Sequence, residues 1–355
     1  MTLLSFSCRD FRCLAEAAME LDPRYNLIHG ANASGKTSVL EAIAYLGRGK
    51  SFRSAPPERL VRHGAGEFLL LGRVGRGGRE MGVGVRNGRG GLEISVDGDR
   101  SGGVAELAEL LPLQIVDPEV HNLVAGGPEQ RRRYLDWIAF HVEPSFLQAW
   151  RRFRRALKQR NAALRDAAPP AELAGWDREF LDSAQLIHEV RGRCLALAEP
   201  VLRETAEQLL GGGIAFEYQQ GWPADQELPD ALAAGRERDL QLGTSRSGPQ
   251  RADLRLSYDD RQARKLVSRG QQKLLACTLV VSATKVVQQH LRRPLLLLLD
   301  DPAAELDATS LARLMNAVGT LGAQVIATAL EPDQPLFPTS PRRFHVEHGE
   351  LRRLN

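Results

Sequence analysis

The densest chemistry in the chain is the octapeptide Gly30-Ala31-Asn32-Ala33-Ser34-Gly35-Lys36-Thr37, which fits the pattern G-x-x-x-x-G-K-[ST]. It follows the apolar run Tyr25 to His29. It precedes Val39, Leu40, Ile43, Ala44 and Leu46, which recur at helical spacing until Gly47 and Gly49. Strand, glycine turn and helix start in that order make a phosphate-binding loop. Glycines let successive backbone amides turn inward on phosphate oxygens, and the helix N-terminus adds positive potential. Lys36 is placed to reach the β and γ phosphates, and the Thr37 hydroxyl to hold Mg²⁺. The ligand class is a nucleoside triphosphate.

Two further segments belong with that loop. Leu295 to Leu299 reads as a buried strand and ends in Asp300-Asp301-Pro302. Acids at the carboxyl end of such a strand face the ligand crevice, and two adjacent charges there call for a cation. Asp300 is expected to position the Mg²⁺ shared with Thr37. Asp301 is expected to accept a proton from an attacking water. The competing reading of this pair is a simple helix cap after a core strand. Ser268-Arg269-Gly270-Gln271 stands ahead of the apolar positions Leu274, Leu275, Cys277, Leu279, Val280 and Val281. It offers a capping hydroxyl and free backbone amides to an anion. One subunit needs only one phosphate cradle, so this second helix start suggests a γ phosphate held from another molecule.

The elements that must carry these residues alternate as in an α/β fold. Short strands are expected at Leu3 to Cys8, Ala15 to Leu21 and Tyr25 to His29. Residues 67 to 98 alternate apolar and polar between glycine turns, as an antiparallel meander would. From Gln130 to about Gly211 the pattern is helical, interrupted at Pro144 and at Ala168-Pro169-Pro170. A helix from Gly270 to about Leu291, a strand at 295 to 299, a helix from Ala308 and a strand at Gln324 to Thr328 follow. The organisation expected is a head made of 1–125 and 245–355, with 126–244 inserted as a helical lobe.

Composition agrees with a water-borne, cytoplasmic protein: 355 residues, 43% hydrophobic, 26% charged, and no apolar run near the ~20 residues needed to span a bilayer. Cys8, Cys13, Cys194 and Cys277 form no CxxC pair and have no His at zinc spacing, so reduced, mostly buried thiols are expected. The 47 Lys plus Arg nearly balance 44 Asp plus Glu, so net charge does not announce a nucleic-acid binder. Arginines nevertheless cluster at 131–133 and along 151–165, where Arg151, Arg152, Arg154, Arg155, Lys158, Arg160 and Arg165 make a local positive surface. A solvated face paired with nearby acids reads equally well there. Aromatic residues, at 6%, are too few for extensive base stacking.

Taken together, the loop, the SRGQ signature, the paired acids and Glu305-Leu306-Asp307 resemble the ATP-binding-cassette heads of the SMC and RecF group. Within that group the chain is similar to the RecF family. The likeness runs through Asp10-Phe11-Arg12, Ser51-Phe52-Arg53-Ser54, Gly127 to Asp136, Gln159-Arg160-Asn161 and Gly248 to Asp253. It implies a P-loop ATPase head with an antiparallel meander and an inserted helical lobe. It also implies ATP and Mg²⁺ as ligands, an ATP-dependent homodimer, and double-stranded or gapped DNA as partner. RecR and RecO would be partners in recombinase loading, repair, replication restart and the SOS response, with slow, DNA-dependent hydrolysis. By the same resemblance Ser268 and Gly270 would meet the γ phosphate across the dimer and Asp307 would sense the partner. Thr328 would be the switch residue and Arg12 would lie near the nucleotide. Gln114, on a strand-like segment before Asp117-Pro118, is a candidate for the glutamine that couples γ phosphate and lid, and with Thr37 and Asp300 a candidate metal ligand; a surface glutamine is the other reading. Three positions depart from the family's usual pattern: Ala33 for glycine, Ala304 for serine and Gln250 for histidine. These bear on hydrolysis rate more than on binding, since Ala33 suits a right-handed backbone and resists positive φ. A nucleotide-gated scaffold with little hydrolysis, or another P-loop enzyme such as a kinase, are the alternatives.

Overall fold

The computed structural model describes residues 2–53, 55–100, 102–258, 261–266 and 268–354. In chain order it opens with β1 (Thr2–Phe11), β2 (Leu14–Glu20), β3 (Tyr25–His29) and α1 (Lys36–Arg48). The meander β4 (Glu67–Arg76), β5 (Arg79–Gly88) and β6 (Gly91–Val96) follows, then α2 (Val104–Leu110) and β7 (Leu113–Val116). Next come α3 (Asn122–Ala125), α4 (Pro128–Val142), α5 (Phe146–Arg165), α6 (Pro170–Leu210), β8 (Ile214–Gln219), α7 (Leu228–Ala234) and α8 (Arg236–Leu242). The chain continues through β9 (Asp253–Tyr258), β10 (Arg261–Gln262), α9 (Ala263–Leu266) and α10 (Arg269–Leu291). It ends with β11 (Leu296–Leu299), α11 (Ala308–Thr320), β12 (Gln324–Ala329), β13 (Arg342–Glu347) and β14 (Glu350–Leu354).

Two compact units result, Met1–Val120 with Arg292–Asn355, and His121–Leu291. The first holds two sheets, a five-stranded antiparallel one of order β2-β1-β4-β5-β6 and a six-stranded one of order β14-β13-β3-β12-β11-β7. The latter is parallel through β13, β3, β12, β11 and β7, so the carboxyl ends of β3, β12, β11 and β7 share one edge. Helix α1 sits in the core that joins the sheets: Val39, Leu40, Ile43 and Leu46 cluster with Phe6, Phe11, Phe68, Leu298, Ile326 and Phe344. Helices buried on all sides read as all-apolar, and α1 is buried from Ser38 to Gly47. It stops at Gly49, whose φ of 60° makes the left-handed C-terminal turn that glycine adopts without a Cβ penalty.

The second unit is a helical body held by buried ion pairs. The α5–α6 hairpin turns at Pro169-Pro170, where the helix pattern breaks. Arg160, 1% exposed, donates to Asp177 at 2.8 Å, Asp239 at 2.9 Å and Ser245 at 2.6 Å. Arg131 forks onto Asp253 and Arg191 onto Asp136. Long apolar α10 is the one helix among the described residues with the length and composition to cross a membrane, but most of it is buried, packed on α6 and α4. The unit His121–Leu291 includes 245–291, a segment that the expected organisation assigns to the head. Cys8, Cys194 and Cys277 are buried and free, whereas Cys13 is exposed.

Candidate ATP site

The loop from Gly30 to Thr37 joins β3 to α1 as the spacing requires. Gly30 has φ 153°, and a Cβ there would stand 2.3 Å from the Val346 carbonyl oxygen. Only glycine fits that approach. Gly35 starts α1 with φ 116°, and no side chain caps the helix. The Lys36 ammonium folds back onto the loop and donates to the carbonyls of Gly30 at 2.7 Å and Ala31 at 2.8 Å. Burial lowers its pKa, while Asp301 and Asp300 pull the other way and favour the cation. Ser34 Oγ is buried with no partner among the described residues. An uncapped helix start, an orphaned hydroxyl and a lysine resting on loop carbonyls are the donors a polyphosphate would engage.

Ala33 departs from the expectation of a right-handed backbone, with φ 61°. The loop's closure demands the left-handed region and alanine bears the strain, about 1 kcal/mol. Ala33→Gly is expected to raise the melting temperature of this unit by about 1–3 °C, less than full relief because glycine loses more entropy on folding. Differential scanning calorimetry measures it; an unchanged or lower midpoint would contradict the strain.

Four of the expected residues converge at the carboxyl edge of the sheet. Thr37 Oγ1 donates to Asp300, 3.0 Å from each carboxylate oxygen. Thr328 Oγ1 donates to Asp300 Oδ1 at 2.9 Å and accepts from the Asp301 N–H at 2.8 Å. Thr328 therefore fixes both aspartates in place, a role that its expected position as a switch did not suggest. Asp301 has φ 46°, a left-handed turn at which the chain leaves β11. Burial raises the Asp300 pKa, against the hydrogen bonds from Thr328 and Thr37. Among the described residues no group of three or more His, Cys, Asp or Glu could hold a metal by itself. Thr37 with one carboxylate is instead the sparse donor set Mg²⁺ uses when phosphate oxygens and water complete its shell.

Gln114 pairs with Leu297, three residues before Asp300, which places it about 10 Å down the strand from the edge. Its Oε1 accepts from Arg48 at 3.4 Å, in the last turn of α1. Strand register thus sets it back from Thr37 and Asp300. Arg12 forks onto the buried Glu41 of α1 at 2.9 and 2.8 Å. Ser51 also donates to Glu41, and Arg53 lies 3.9 Å from it. Ser54, of the same motif, lies outside the described residues. Asp307 caps α11, accepting from the Ser310 amide at 2.9 Å and hydroxyl at 2.6 Å, which lowers its pKa. Gly270 lies in the first turn of α10, and Ser268 is exposed at its start. There Ser268 forms a reciprocal box with Gln271: the Gln271 amide donates to Ser268 Oγ at 3.3 Å and the Ser268 amide to Gln271 Oε1 at 3.0 Å.

Sequence reasoning missed Glu41 and Asp117. Glu41 was hidden as one polar residue inside an apolar helix. Asp117 follows β7 just as Asp300 follows β11, and the same logic of an acid ending a buried strand finds it. Burial, then Asp300, pushes its pKa up to about 6, against the Glu119 amide and Arg48. A carboxyl raised on folding costs stability above the folded pKa and costs none below the unfolded one. Stability should therefore fall as pH rises from about 4 to 6 through this group. Asp117→Asn is expected to raise the melting temperature at pH 7.5 and to leave it unchanged at pH 4; an equal shift at both would contradict it.

Comparison with known proteins agrees with this geometry. The RecF/RecN/SMC N-terminal domain model matches residues 2–339. The DNA replication and repair protein RecF of Edwardsiella ictaluri (strain 93-146) is 40% identical over 356 residues, 99% of each chain. The chain belongs to the RecF family. RecF of Photorhabdus laumondii subsp. laumondii is 39% identical, over 99% of this chain and 98% of that one. The solved recombination mediator protein RecF with ATP, of the RecFOR pathway, shares the fold of this RecF-family chain with TM-score 0.90 at 23% identity, covering 100% of this chain and 98% of that one. An Smc head bound to the C-terminal winged-helix domain of ScpA superposes with TM-score 0.61 at 15% identity, covering 100% and 98%. The expected ATP-binding-cassette head is thus the family's own fold.

Proposed function

We propose that this protein is an ATP-dependent, DNA-binding recombination mediator of the bacterial cytoplasm that closes as a homodimer on two ATP molecules at DNA gaps. The observation that carries the reading is the linkage of Thr37, Asp300, Thr328 and Asp301 beside an uncapped phosphate loop. Lys36 leaves the Gly30 and Ala31 carbonyls for the β and γ phosphates. Mg²⁺ held by Thr37 and Asp300 would neutralise charge on those phosphates. Thr328 keeps Asp301 beside the site, where its carboxylate takes the proton of a water attacking the γ phosphorus while the bond to the bridging oxygen breaks. ADP and phosphate result. Ser268, exposed, and Gly270, in the first turn of α10, would be presented to the γ phosphate of a second copy, and Asp307 would sense that partner. Slow hydrolysis, stimulated by DNA, then opens the dimer. RecR and RecO are the partners this role calls for in loading recombinase during repair, replication restart and the SOS response.

The test is gel-shift binding to gapped, duplex and single-stranded DNA, with and without ATP, at two salt concentrations. The reading expects ATP to strengthen retention on gapped or duplex DNA. Equal retention with and without ATP would contradict it.

A further inference from the structure

The basic residues counted in the sequence divide in the structure into those already engaged and those left over. Arg131, Arg160 and Arg191 are themselves buried and each is paired with at least one carboxylate. On α5, Phe146, Ala149, Phe153, Ala156, Arg160, Ala163 and Leu164 are buried. Opposite them, Arg151, Arg154, Arg155 and Lys158 are exposed and fall within an arc of about 100° at 3.6 residues per turn. Arg152 lies about 60° beyond that arc and is forked onto Glu179 at 2.8 and 2.9 Å, with Asp182 nearby. None of the four central cations makes an ion pair among the described residues; Arg154 lies over the Trp150 ring at 5.2 Å, and Glu179 is felt by Arg155 only at longer range.

We propose that this outward face of α5 binds the phosphate backbone of duplex DNA through Arg151, Arg154, Arg155 and Lys158, a surface that rests on the DNA-binding reading above. The four heads are spread over eight residues of one rigid helix, about 10 Å, which matches about three base-pair steps of about 3.4 Å along the duplex axis. An acidic protein surface fits less well. Protein interfaces are anchored by buried aromatic or aliphatic side chains, and none of the large exposed hydrophobic residues lies on α5. Single-strand readout fits less well too, because the one aromatic ring at this patch, Trp150, is covered by Arg154 rather than open to a base.

The experiment uses the full chain with ATP and Mg²⁺ and follows anisotropy of a labelled short duplex across a salt series. The variant changes Arg151, Arg154, Arg155 and Lys158 together to glutamine. Its expected slope of log affinity against log salt is shallower by about 3–4, with affinity at least about tenfold weaker at 0.1 M salt. Arg152→Gln, whose charge is already paired, should change neither. Should the fourfold variant fold poorly, Arg155→Glu alone is expected to give a loss of the same sign. Wild-type affinity and slope in a folded variant would overturn the proposal and leave the face to an acidic protein partner. A wild-type protein that does not bind duplex at all would instead overturn the DNA-binding reading, and this surface with it.

Discussion

Lys36→Met is expected to weaken ATP binding by at least about 100-fold, because it removes a cation that would make charge-assisted bonds to two phosphates, each worth about 1.5–3 kcal/mol. The same change removes no packing of consequence, since the ammonium is satisfied only by the Gly30 and Ala31 carbonyls. Isothermal titration with ATP·Mg²⁺ reads the loss directly. A variant that binds within about threefold of the wild type would show that the loop amides alone hold the ligand, against the assignment of Lys36. The Asp301→Asn change should behave differently. It keeps the hydrogen bond from its own amide to Thr328 and so keeps binding, but it removes the oxygen charge that takes the water's proton. Turnover should fall by about 10²–10⁴ with affinity nearly unchanged.

The second large effect is on folding. Arg160→Leu leaves Asp239, 1% exposed, with a buried charge and only the Arg246 amide and Thr244 turn around it. Breaking a buried pair from one side costs about 3–5 kcal/mol, which for a unit of this size lowers the melting point by about 10 °C or more. Replacing Arg160 together with Asp177 and Asp239 by apolar residues should recover much of that loss, because no unpaired charge then remains. Calorimetry of the single and triple variants decides it. A single variant as stable as the wild type would mean that the cluster contributes nothing to the helical unit.

What could be read from sequence was what is local. The phosphate loop needs only eight residues between a strand and a helix, and the meander, the helix breaks at Pro144 and Pro169, and the five leucines before Asp300 are all patterns of nearest neighbours. What depended on pairing could not be read so directly. The charged strand β13, with sequence RRFHVE, looks like surface, yet it lies parallel to β3 and buries Phe344 and Val346 beneath the loop. Gln114 was a reasonable candidate by type, but strand register alone decides that it falls three residues short of the edge. Thr328 was found by position and not by role, since its bridge from Asp300 to the Asp301 amide exists only once β12 lies beside β11. Likewise, the arginines of α5 look alike in sequence. The helix phase, and the acids brought up by α6 and α8, separate Arg160 and Arg152 from those left free.

Sedimentation of the Asp301→Asn protein with ATP and Mg²⁺, alongside a second protein that also carries Ser268→Arg, tests the shared grip on the triphosphate most directly. The account predicts dimers for the first protein and monomers for the second, with ATP still bound to both. Monomers throughout, or dimers indifferent to the bulk at Ser268, would contradict it.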